Sequence, residues 1–441
     1  MKNFISRYII QSTFIFTAII LVWVSANLNW GDERWNKLLA HDAKGYYAYL
    51  PAIFIYHDLS FNFLEKDSDE TVLAAPFIHK ANPNNPGVID KYYAGVALAQ
   101  LPFFLAGHLT CWVMGLPLNG YSSYYLIFIQ VAAIFYALLA LFFLFRVLSE
   151  LNISKNIIAL VALVAIFGTN IYYYIVIEPG MPHVYSFAFV SLFALSAIKF
   201  FKNPSKKFYI IGMFALGMAV LIRPVNVLIL LSVPFLAGDI EKLKNGLRFL
   251  IQHFWALLTG MVLAFLVVFV QLAIYKIQTG NFIVYSYGEE SFDFLHPNIV
   301  NFIISYRKGL LVYTPVFFLS ILGFYTLYKQ SVFRFFSLIL FLFIVIYVLS
   351  SWWMWYYGGS FGARAFIDYY VYLFIPLALW LEFGKWKKFF IPLAFVFIVV
   401  CMIQTIQYQY GYIHWSEMTK EIYWDNFLRI DKVIHGAKKQ W

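Results

Sequence analysis

An acidic residue stands among tyrosines in segment 41–51 (HDAKGYYAYLP), just after the first apolar stretch of the chain. On a helix that starts here, Asp42, Tyr46 and Tyr49 share one face. A carboxylate on such a face, with His41 beside it, is suited to accept a proton in acid–base chemistry. The same aspartate is also an ordinary N-cap for a short helix. The local sequence favours neither interpretation, so the rest of the chain has to separate them.

Several cationic residues are candidates for binding a phosphate. They are Lys91, Arg223, Arg307 and Arg364. A guanidinium matches the geometry of phosphate oxygens, and Asn226 adds polarity near Arg223 where apolar residues would suffice. Arg223 and Arg307 also have a plain structural interpretation: Arg223 would anchor a helix end at the membrane interface, and Arg307 would be an ordinary basic flank of a helix.

An aromatic run ends in a glycine-rich loop and an arginine at 352–364 (WWMWYYGGSFGAR). A belt of aromatic residues at a membrane interface explains the tryptophans but not the glycines, which permit close backbone approach beside a cation. Aromatic faces next to such a loop suit a sugar ring or an isoprenoid chain. The candidates for lining a cavity are His41, Tyr46, Tyr49, Asn226, Trp352, Trp353, Trp355 and Gly359.

Three further polar residues are candidates for the same cavity. Asp90 precedes Lys91, and the segment 178–183 (EPGMPH) contributes Glu178 and His183. This segment is also a plausible plain turn, in which His183 would serve only the start of the next helix. The acidic residues Glu289, Glu290 and Asp293 are expected to lie in a solvated loop.

The composition indicates an all-α, polytopic membrane protein. Hydrophobic residues make up 62% of the 441 positions and charged residues only 12%, which is too much apolar surface for a soluble chain to bury. The net charge of +10 comes from Lys and Arg in short loops, as the positive-inside rule describes, and we expect no nucleic-acid partner. Cys111 and Cys401 are expected to be packed thiols.

The hydropathy pattern predicts about eleven spans in a single domain covering residues 1–441, with a cytoplasmic N-terminus. Residues 29–120 form the first periplasmic loop, and 407–441 form an external amphipathic segment. Segment 92–116 either crosses the membrane or forms a juxtamembrane or re-entrant pair of helices, which the charge rule prefers. Segment 208–237 is either one kinked helix or two helices that meet externally at Arg223. The second is preferred, because a charge at the membrane midplane is costly and Pro224 breaks the helix. The other spans are expected at 8–28, 121–146, 157–177, 184–201, 250–275, 310–328, 335–352, 369–384 and 388–406.

With this topology the unusual polar residues gather on the external face. Polar groups at that depth must face protein or water, so their segregation predicts a water-filled cavity at the outer boundary of the membrane. The candidates placed there are Asp42, Asp90, Lys91, Glu178, His183, Arg223, Arg307 and Arg364.

The ordered set of motifs resembles a bacterial member of the C-type (GT-C) glycosyltransferase superfamily. It is similar to the protein O-mannosyltransferase and aminoarabinose transferase branches and to Bacteroidota-type relatives. The motifs are segment 41–51, 91–95 (KYYAG), 101–104 (LPFF), 181–187 (MPHVYSF), 221–226 (LIRPVN), 306–310 (YRKGL) with Thr314-Pro315, and 352–364.

This resemblance implies the GT-C fold and a polyprenyl-phosphate sugar donor. The sugar would pass, with inversion, to a hydroxyl of a glycan, lipid or protein on the periplasmic face of a bacterial inner membrane. The acidic residue that acts in the family's first external loop maps onto Asp42. The family often has a second acidic neighbour there, whereas this chain has His41. A polyprenyl phosphate leaves without protonation, so the chemistry needs a base and cations for the phosphate, and it requires no metal. Metal dependence is left open by the sequence.

Other functions make different sequence predictions. A transporter or flippase of lipid-linked saccharides would carry charges at several membrane depths and commonly an internal repeat, and neither is found. An O-antigen ligase or polymerase would favour a large external loop late in the chain. A purely structural subunit would not explain basic groups on the outer side.

Overall fold

The computed structural model describes residues 2–66, 77–82, 85–384 and 387–436. Most of this chain is helical. The first half contains α1 (Lys2–Asn29), α2 (Ala43–Phe54), α3 (Phe63–Lys66), α4 (Gly95–Val113), α5 (Ser123–Glu150), α6 (Lys155–Phe167), α7 (Ile171–Val176), α8 (Pro182–Lys202), α9 (Lys206–Ile222) and α10 (Val233–Ala237). Antiparallel strands β1 (Ile78–Asn82) and β2 (Asn85–Asp90) pair with Ile78 opposite Asp90.

The second half continues with α11 (Ile240–Gln252), α12 (Phe254–Thr279), α13 (Ile299–Ile304), α14 (Leu310–Tyr313), α15 (Phe317–Gln330), α16 (Val332–Ser350), α17 (Val371–Phe383), α18 (Lys387–Gln409), α19 (Lys420–Asn426) and α20 (Ile430–His435). Short 3-10 helices cover Arg34–Leu38, Pro224–Ser232 and Arg364–Tyr369. Helix α8 lies at the centre of the bundle, where it packs against α5 and α9 and is almost entirely buried.

The protein is a multi-pass membrane protein built from apolar helices. Within the described ranges, seven helices are long and apolar enough to cross a membrane, or up to eight if the bent pair Pro224–Ala237 and Ile240–Gln252 counts as one span. The expected number of eleven is not confirmed by this measure. Two expected spans are interrupted: 157–177 breaks between α6 and α7, and 310–328 breaks between α14 and α15. Segment 208–237 also breaks at Arg223, where two helices were expected to meet. Proline or short polar residues stand at these breaks, where they interrupt helical hydrogen bonding.

The bundle has two ends that are marked by different contacts. At one end, Glu150 in the last turn of α5 pairs with Lys199 and Lys202 in the last turn of α8. Ser154, just before α6, bonds there to Glu382 near the end of α17. We call this the Glu150 end. At the opposite end α1 and α9 finish and α8 begins, and we call it the cavity end.

Helix α4 lies in the half of the bundle nearest the cavity end. Its first residue, Gly95, contacts the backbone of Ile222 at the end of α9, and Gly107 contacts the backbone of Tyr124 at the start of α5. Both contacts are with helix ends that lie away from the Glu150 end, although the length and composition of α4 would allow a crossing. The structure has one continuous helix where a juxtamembrane or re-entrant pair was expected at 92–116. Its position at the membrane interface remains a prediction.

The segment after α18 folds back over the cavity end. Gln404 in α18 donates a hydrogen bond to the hydroxyl of Tyr423 in α19, and the Tyr423 ring contacts Tyr313. The amphipathic segment expected at 407–441 therefore begins as the last turn of α18 and continues as α19 and α20. Its last residues, 437–441, lie outside the described chain.

Candidate functional site

A cavity of about 1530 Å³ opens at the cavity end. Helix ends build most of its wall: the last residues of α1, the start of α8, the break after α9 and the last turn of α18. Many of the sequence candidates line it, although they come from segments far apart in the chain. These are His41, Asp42, Tyr46, Lys91, Glu178, His183, Arg223, Trp352, Trp353, Gly359 and Arg364.

Asp42 is bonded to Arg364 and caps no helix. It occupies the position just before α2, but its side chain makes no capping hydrogen bond. Its Oδ2 instead accepts a hydrogen bond of 2.7 Å from Nη2 of Arg364. The preceding residue, His41, has a left-handed backbone with φ of 51°, which strains a residue other than glycine and turns the chain into the helix at this point.

The surroundings of Asp42 keep its carboxylate ionised. Burial raises the pKa of Asp42, but the charge of Arg364, a hydrogen bond from the Tyr92 hydroxyl and the charge of Lys91 together bring that pKa below its ordinary value. Asp42 is therefore a carboxylate at neutral pH, able to accept a proton but not to donate one.

Tyr49 and Asp90 hold Tyr92 in place rather than line the cavity. The Tyr49 hydroxyl donates to the Tyr92 carbonyl oxygen at 2.7 Å, and Asp90 Oδ1 accepts from the Tyr92 amide at 2.8 Å. Both Tyr49 and Asp90 are fully buried. They were expected in the cavity itself, and the structure places them one layer behind it, where they fix the tyrosine that reaches Asp42.

Asp368 is a functional candidate that the sequence analysis missed. It is 0% exposed, and its Oδ2 accepts from Arg223 Nη1 at 2.8 Å and from Asn226 Nδ2 at 3.0 Å. Its Oδ1 accepts from His183 Nδ1 at 3.2 Å. Asn226 therefore lies behind the cavity wall, not in it. The available signal was an aspartate at the start of a strongly apolar helix, where an unpaired charge would be costly.

Glu178 is the second acidic side chain in the cavity. It accepts a hydrogen bond from the Tyr173 hydroxyl at 3.1 Å. Burial raises the pKa of Glu178 to about 7, against the opposing influence of Arg364. Glu178 therefore changes charge near neutral pH, whereas Asp42 does not.

Lys91 is paired across the cavity mouth with an acidic residue that was expected to be solvated. Lys91 Nζ lies 2.6 Å from Glu290 Oε1, and both side chains are partly exposed. Glu290 lines the cavity. This ion pair connects the end of β2 to the loop between α12 and α13.

Arg307 lies outside the cavity, contrary to the expected phosphate-binding position. Its Nε donates to the Ser416 carbonyl oxygen at 2.7 Å, and its guanidinium lies 3.4 Å from the centre of the Tyr356 ring. The next residue, Lys308, is buried and donates to the carbonyl oxygens of Ser360 and Trp415. Both cations thus tie the C-terminal segment to the 352–364 loop.

Aromatic side chains that were not predicted complete the wall. Trp355 is not among the lining residues, whereas Trp415 from the C-terminal segment is. The tyrosines that join it are Tyr92, Tyr93, Tyr173, Tyr285, Tyr287, Tyr357 and Tyr408. Tyrosine is common throughout this sequence, so composition alone did not distinguish these from the tyrosines packed in the core.

No cluster of three or more His, Cys, Asp or Glu side chains with a geometry suited to a metal ion occurs in the described parts of the chain. The metal-free chemistry expected from the sequence remains a prediction.

Comparison with known proteins finds similar solved structures but no related sequence. No protein-family model matches the sequence, and no curated protein matches it. Two solved structures of an oligosaccharyltransferase from Archaeoglobus fulgidus are similar. The archaeal oligosaccharyltransferase AglB in complex with an inhibitory peptide and a dolichol-phosphate has a TM-score of 0.48 and 12% identity over 96% of this chain. The apo form has a TM-score of 0.46 and 13% identity over 98% of this chain. The matched regions span 57% and 61% of those longer chains.

Proposed function

We propose that this protein is an inverting glycosyltransferase that moves a sugar from a polyprenyl-phosphate donor to an acceptor hydroxyl. The observation that carries the proposal is the Asp42–Arg364 pair, a base and a cation 2.7 Å apart on the wall of one large cavity. Together these two residues place a proton acceptor and a phosphate-binding cation side by side, in a wall that also contains aromatic side chains.

The proposed reaction uses Asp42 as the general base. The acceptor oxygen attacks the anomeric carbon of the sugar from the side opposite the phosphate, so the configuration at that carbon is inverted. The acceptor O–H proton passes to Asp42, and the bond between the anomeric carbon and the phosphate oxygen breaks with its electron pair on the phosphate. The phosphate monoester that departs is a weak base and carries the bonding electron pair as negative charge, so it needs no general acid.

Cations around the cavity would stabilise the charge that grows on the departing phosphate. Arg364 is fixed by Asp42, Arg223 by Asp368 and Lys91 by Glu290. Cationic groups held in place before the reaction do not have to reorganise during it, which is the main source of electrostatic catalysis. The pairing of each cation with a carboxylate also lowers the cost of keeping it at a partly enclosed wall.

The size and lining of the cavity fit a large amphiphilic donor. Its volume of about 1530 Å³ exceeds the roughly 300–1,000 Å³ of ordinary small-molecule pockets. It therefore has room for a sugar, a phosphate, part of a polyprenyl chain and an acceptor. Trp352, Trp353 and Trp415 present aromatic faces on which a sugar ring or an isoprenoid chain can pack.

The proposal places the reaction on the periplasmic face of a bacterial inner membrane. Lys2 and Arg7 precede the apolar part of α1, which favours a cytoplasmic N-terminus. Because α1 starts away from the cavity end and finishes at it, the cavity would then face the periplasm. The acceptor, whether glycan, lipid or protein, is part of what the experiment must identify.

The test is sugar transfer by the purified full-length protein in lipid vesicles, with a panel of polyprenyl-phosphate sugars and candidate acceptors. We expect transfer by the wild type, with inverted anomeric configuration, and a loss of at least about 100-fold in kcat for Asp42→Asn. The matched control is Asp431→Asn, which removes an aspartate from an exposed pair with Arg429 and should leave transfer unchanged. Full transfer by Asp42→Asn would remove Asp42 from the mechanism. Movement of the lipid across the bilayer without transfer would favour a flippase.

A further inference from the structure

We propose that His183 recognises a hydroxyl group of the donor sugar, and that Asp368 holds the imidazole in the tautomer needed for this contact. The inference rests on the proposed function and extends it to the choice of sugar. In this scheme His183 touches the substrate, and Asp368 is a positioning residue behind it.

The contact with Asp368 determines which nitrogen of His183 carries the proton. His183 Nδ1 lies 3.2 Å from Asp368 Oδ1. Burial raises the pKa of Asp368, but Arg223 and the hydrogen bonds from His183 and Asn226 bring that pKa below its ordinary value, so the carboxylate is ionised. An ionised carboxylate only accepts hydrogen bonds, and the proton must therefore be on Nδ1. Nε2 of a neutral His183 then carries a lone pair.

The opposite edge of the imidazole borders the cavity. His183 is one of the residues that line it, although only 3% of the residue is exposed. Since Nδ1 is turned toward the fully buried Asp368, the edge that carries Nε2 faces the space where a ligand would lie. Tyr174 packs edge-on against the ring at 5.3 Å between centroids, and Pro182 fixes the first turn of α8. The imidazole is thereby held in a single orientation.

The lone pair on Nε2 selects the kind of group that can bind. It accepts a hydrogen bond from a hydroxyl group but repels the oxygens of a phosphate, which are acceptors only. Arg223 has the opposite preference, because a guanidinium only donates. Asp368 binds Arg223 through Oδ2 and His183 through Oδ1. The Asp368 carboxylate therefore places His183, which can accept a hydrogen bond from a hydroxyl group, beside Arg223, which can donate hydrogen bonds to a phosphate. A sugar linked to a phosphate presents these two kinds of group next to each other.

A substitution at Asp368 makes a sharp prediction about the tautomer. In Asp368→Asn, the amide oxygen should face Arg223 and Asn226, because both donate to that side of the group. The amide nitrogen would then face His183 and donate to Nδ1, so that the proton moves to Nε2. Nε2 would change from an acceptor into a donor.

The tautomer can be measured without any substrate. Nitrogen-15 NMR of the full-length protein in detergent distinguishes the two neutral tautomers of histidine, and His183→Gln identifies the signals of His183. We expect the form protonated on Nδ1 in the wild type and the form protonated on Nε2 in Asp368→Asn. A wild-type His183 protonated on Nε2, or one that is doubly protonated at neutral pH, would overturn the inference.

Binding measurements test the contact with the sugar. The probes are undecaprenyl phosphate and its mannose, glucose and galactose derivatives. We expect at least one hexose derivative to bind the wild type more tightly than undecaprenyl phosphate. His183→Ala should weaken the binding of that derivative by about tenfold and leave undecaprenyl phosphate within twofold. His183→Gln, whose amide oxygen can accept at the position of Nε2, should restore part of the loss.

A matched control comes from a second histidine–aspartate pair. His296 Nδ1 lies 3.0 Å from Asp293 Oδ2, but this histidine is exposed and does not line the cavity. His296→Ala should change the affinity for none of the probes.

Two results for His183→Ala would contradict the inference: equal losses of affinity for the sugar-bearing and sugar-free lipids, or no loss for either. A wild type that binds no hexose derivative more tightly than undecaprenyl phosphate would also contradict it. If undecaprenyl phosphate itself fails to bind the wild type, the proposed function is contradicted, whereas the NMR result on the tautomer still stands.

Discussion

Asp42 and Arg364 are separated by 322 positions in the chain and by 2.7 Å at the wall of the cavity. Asp42 is the last residue before α2, and Arg364 is the first residue of the 3-10 helix that precedes α17. The charge of Arg364 helps keep the pKa of Asp42 below its ordinary value, and Asp42 in turn holds the Arg364 guanidinium in place. The pair links the proposed base to a cation that would stabilise the proposed phosphate leaving group.

Removing the Arg364 charge should alter both the rate and its pH dependence. Without the guanidinium, burial dominates and the pKa of Asp42 rises. A general base acts when it is deprotonated, so the acid limb of the kcat/KM profile should move to higher pH in Arg364→Gln. We also expect a rate loss of about 100- to 1,000-fold at neutral pH, as found when one stabilising donor is removed from an active site. An acid limb that stays at its wild-type pH would show that Arg364 does not set the ionisation of Asp42. Arg429→Gln, at an exposed pair, is the control.

Glu178 should make stability depend on pH near neutrality. Its pKa is raised from 4.5 in the unfolded chain to about 7 in the fold. The folded protein therefore binds a proton there that the unfolded chain releases at lower pH. The contribution is complete below about pH 4.5 and is lost as the pH rises through about 7. We expect the Tm of the wild type to fall between pH 5 and pH 8 by more than the Tm of Glu178→Gln. Parallel pH profiles of Tm for the two proteins would exclude a raised pKa.

Deleting the Asp368 carboxylate should be strongly destabilising. Asp368→Ala leaves Arg223 buried without its counter-charge and removes the acceptor of His183 and Asn226. Breaking such a buried pair costs about 3–5 kcal/mol, which should appear as a large drop in Tm of the purified protein. Asp239→Ala removes an exposed helix N-cap and should cost about 1 kcal/mol. Similar Tm losses in the two variants would argue against a buried ion pair at Asp368.

A methyl group at Gly95 should disturb the junction between α4 and α9. A Cβ there would lie 2.4 Å from the backbone nitrogen of Ile222, and backbone atoms cannot move aside as a side chain can. We expect Gly95→Ala to destabilise the protein by about 1–3 kcal/mol and to impair transfer, since Ile222 adjoins Arg223. In Gly212→Ala the nearest atom is Ser196 Cβ at 3.4 Å, and this substitution should be tolerated. Equal Tm values for the two variants would mean that α4 and α9 are further apart.

The sequence alone identified cavity residues where a charged residue stands among apolar or aromatic neighbours. Asp42, Arg223 and Arg364 interrupt apolar or aromatic stretches, and all three line the cavity. The membrane character followed from composition, because no soluble fold buries so much apolar surface. These inferences need no knowledge of which segments meet.

The same reasoning could not predict which distant segments of the chain contact each other. Asp368 looked like the end of a loop until the structure placed Arg223 and His183 against it. Arg307 and Lys308 are adjacent cations just before a helix. Only the position of the C-terminal segment shows that both donate hydrogen bonds to backbone carbonyl oxygens. The expected number of spans is not confirmed for a related reason. Hydropathy averaged over a window does not register the break before Pro315, although a helix ends there.

Because Asp42 and Arg364 are 322 positions apart in the chain, they are synthesised at different times. Asp42, the proposed base, is synthesised early and Arg364 late. The Trp415 segment of the cavity wall follows later still. Since chains fold progressively during synthesis, the first loop emerges before the arginine that pairs with its aspartate has been made. A ribosome that stalls before position 364 would leave a protein without the Asp42–Arg364 pair, and hence, under the proposed function, without sugar transfer.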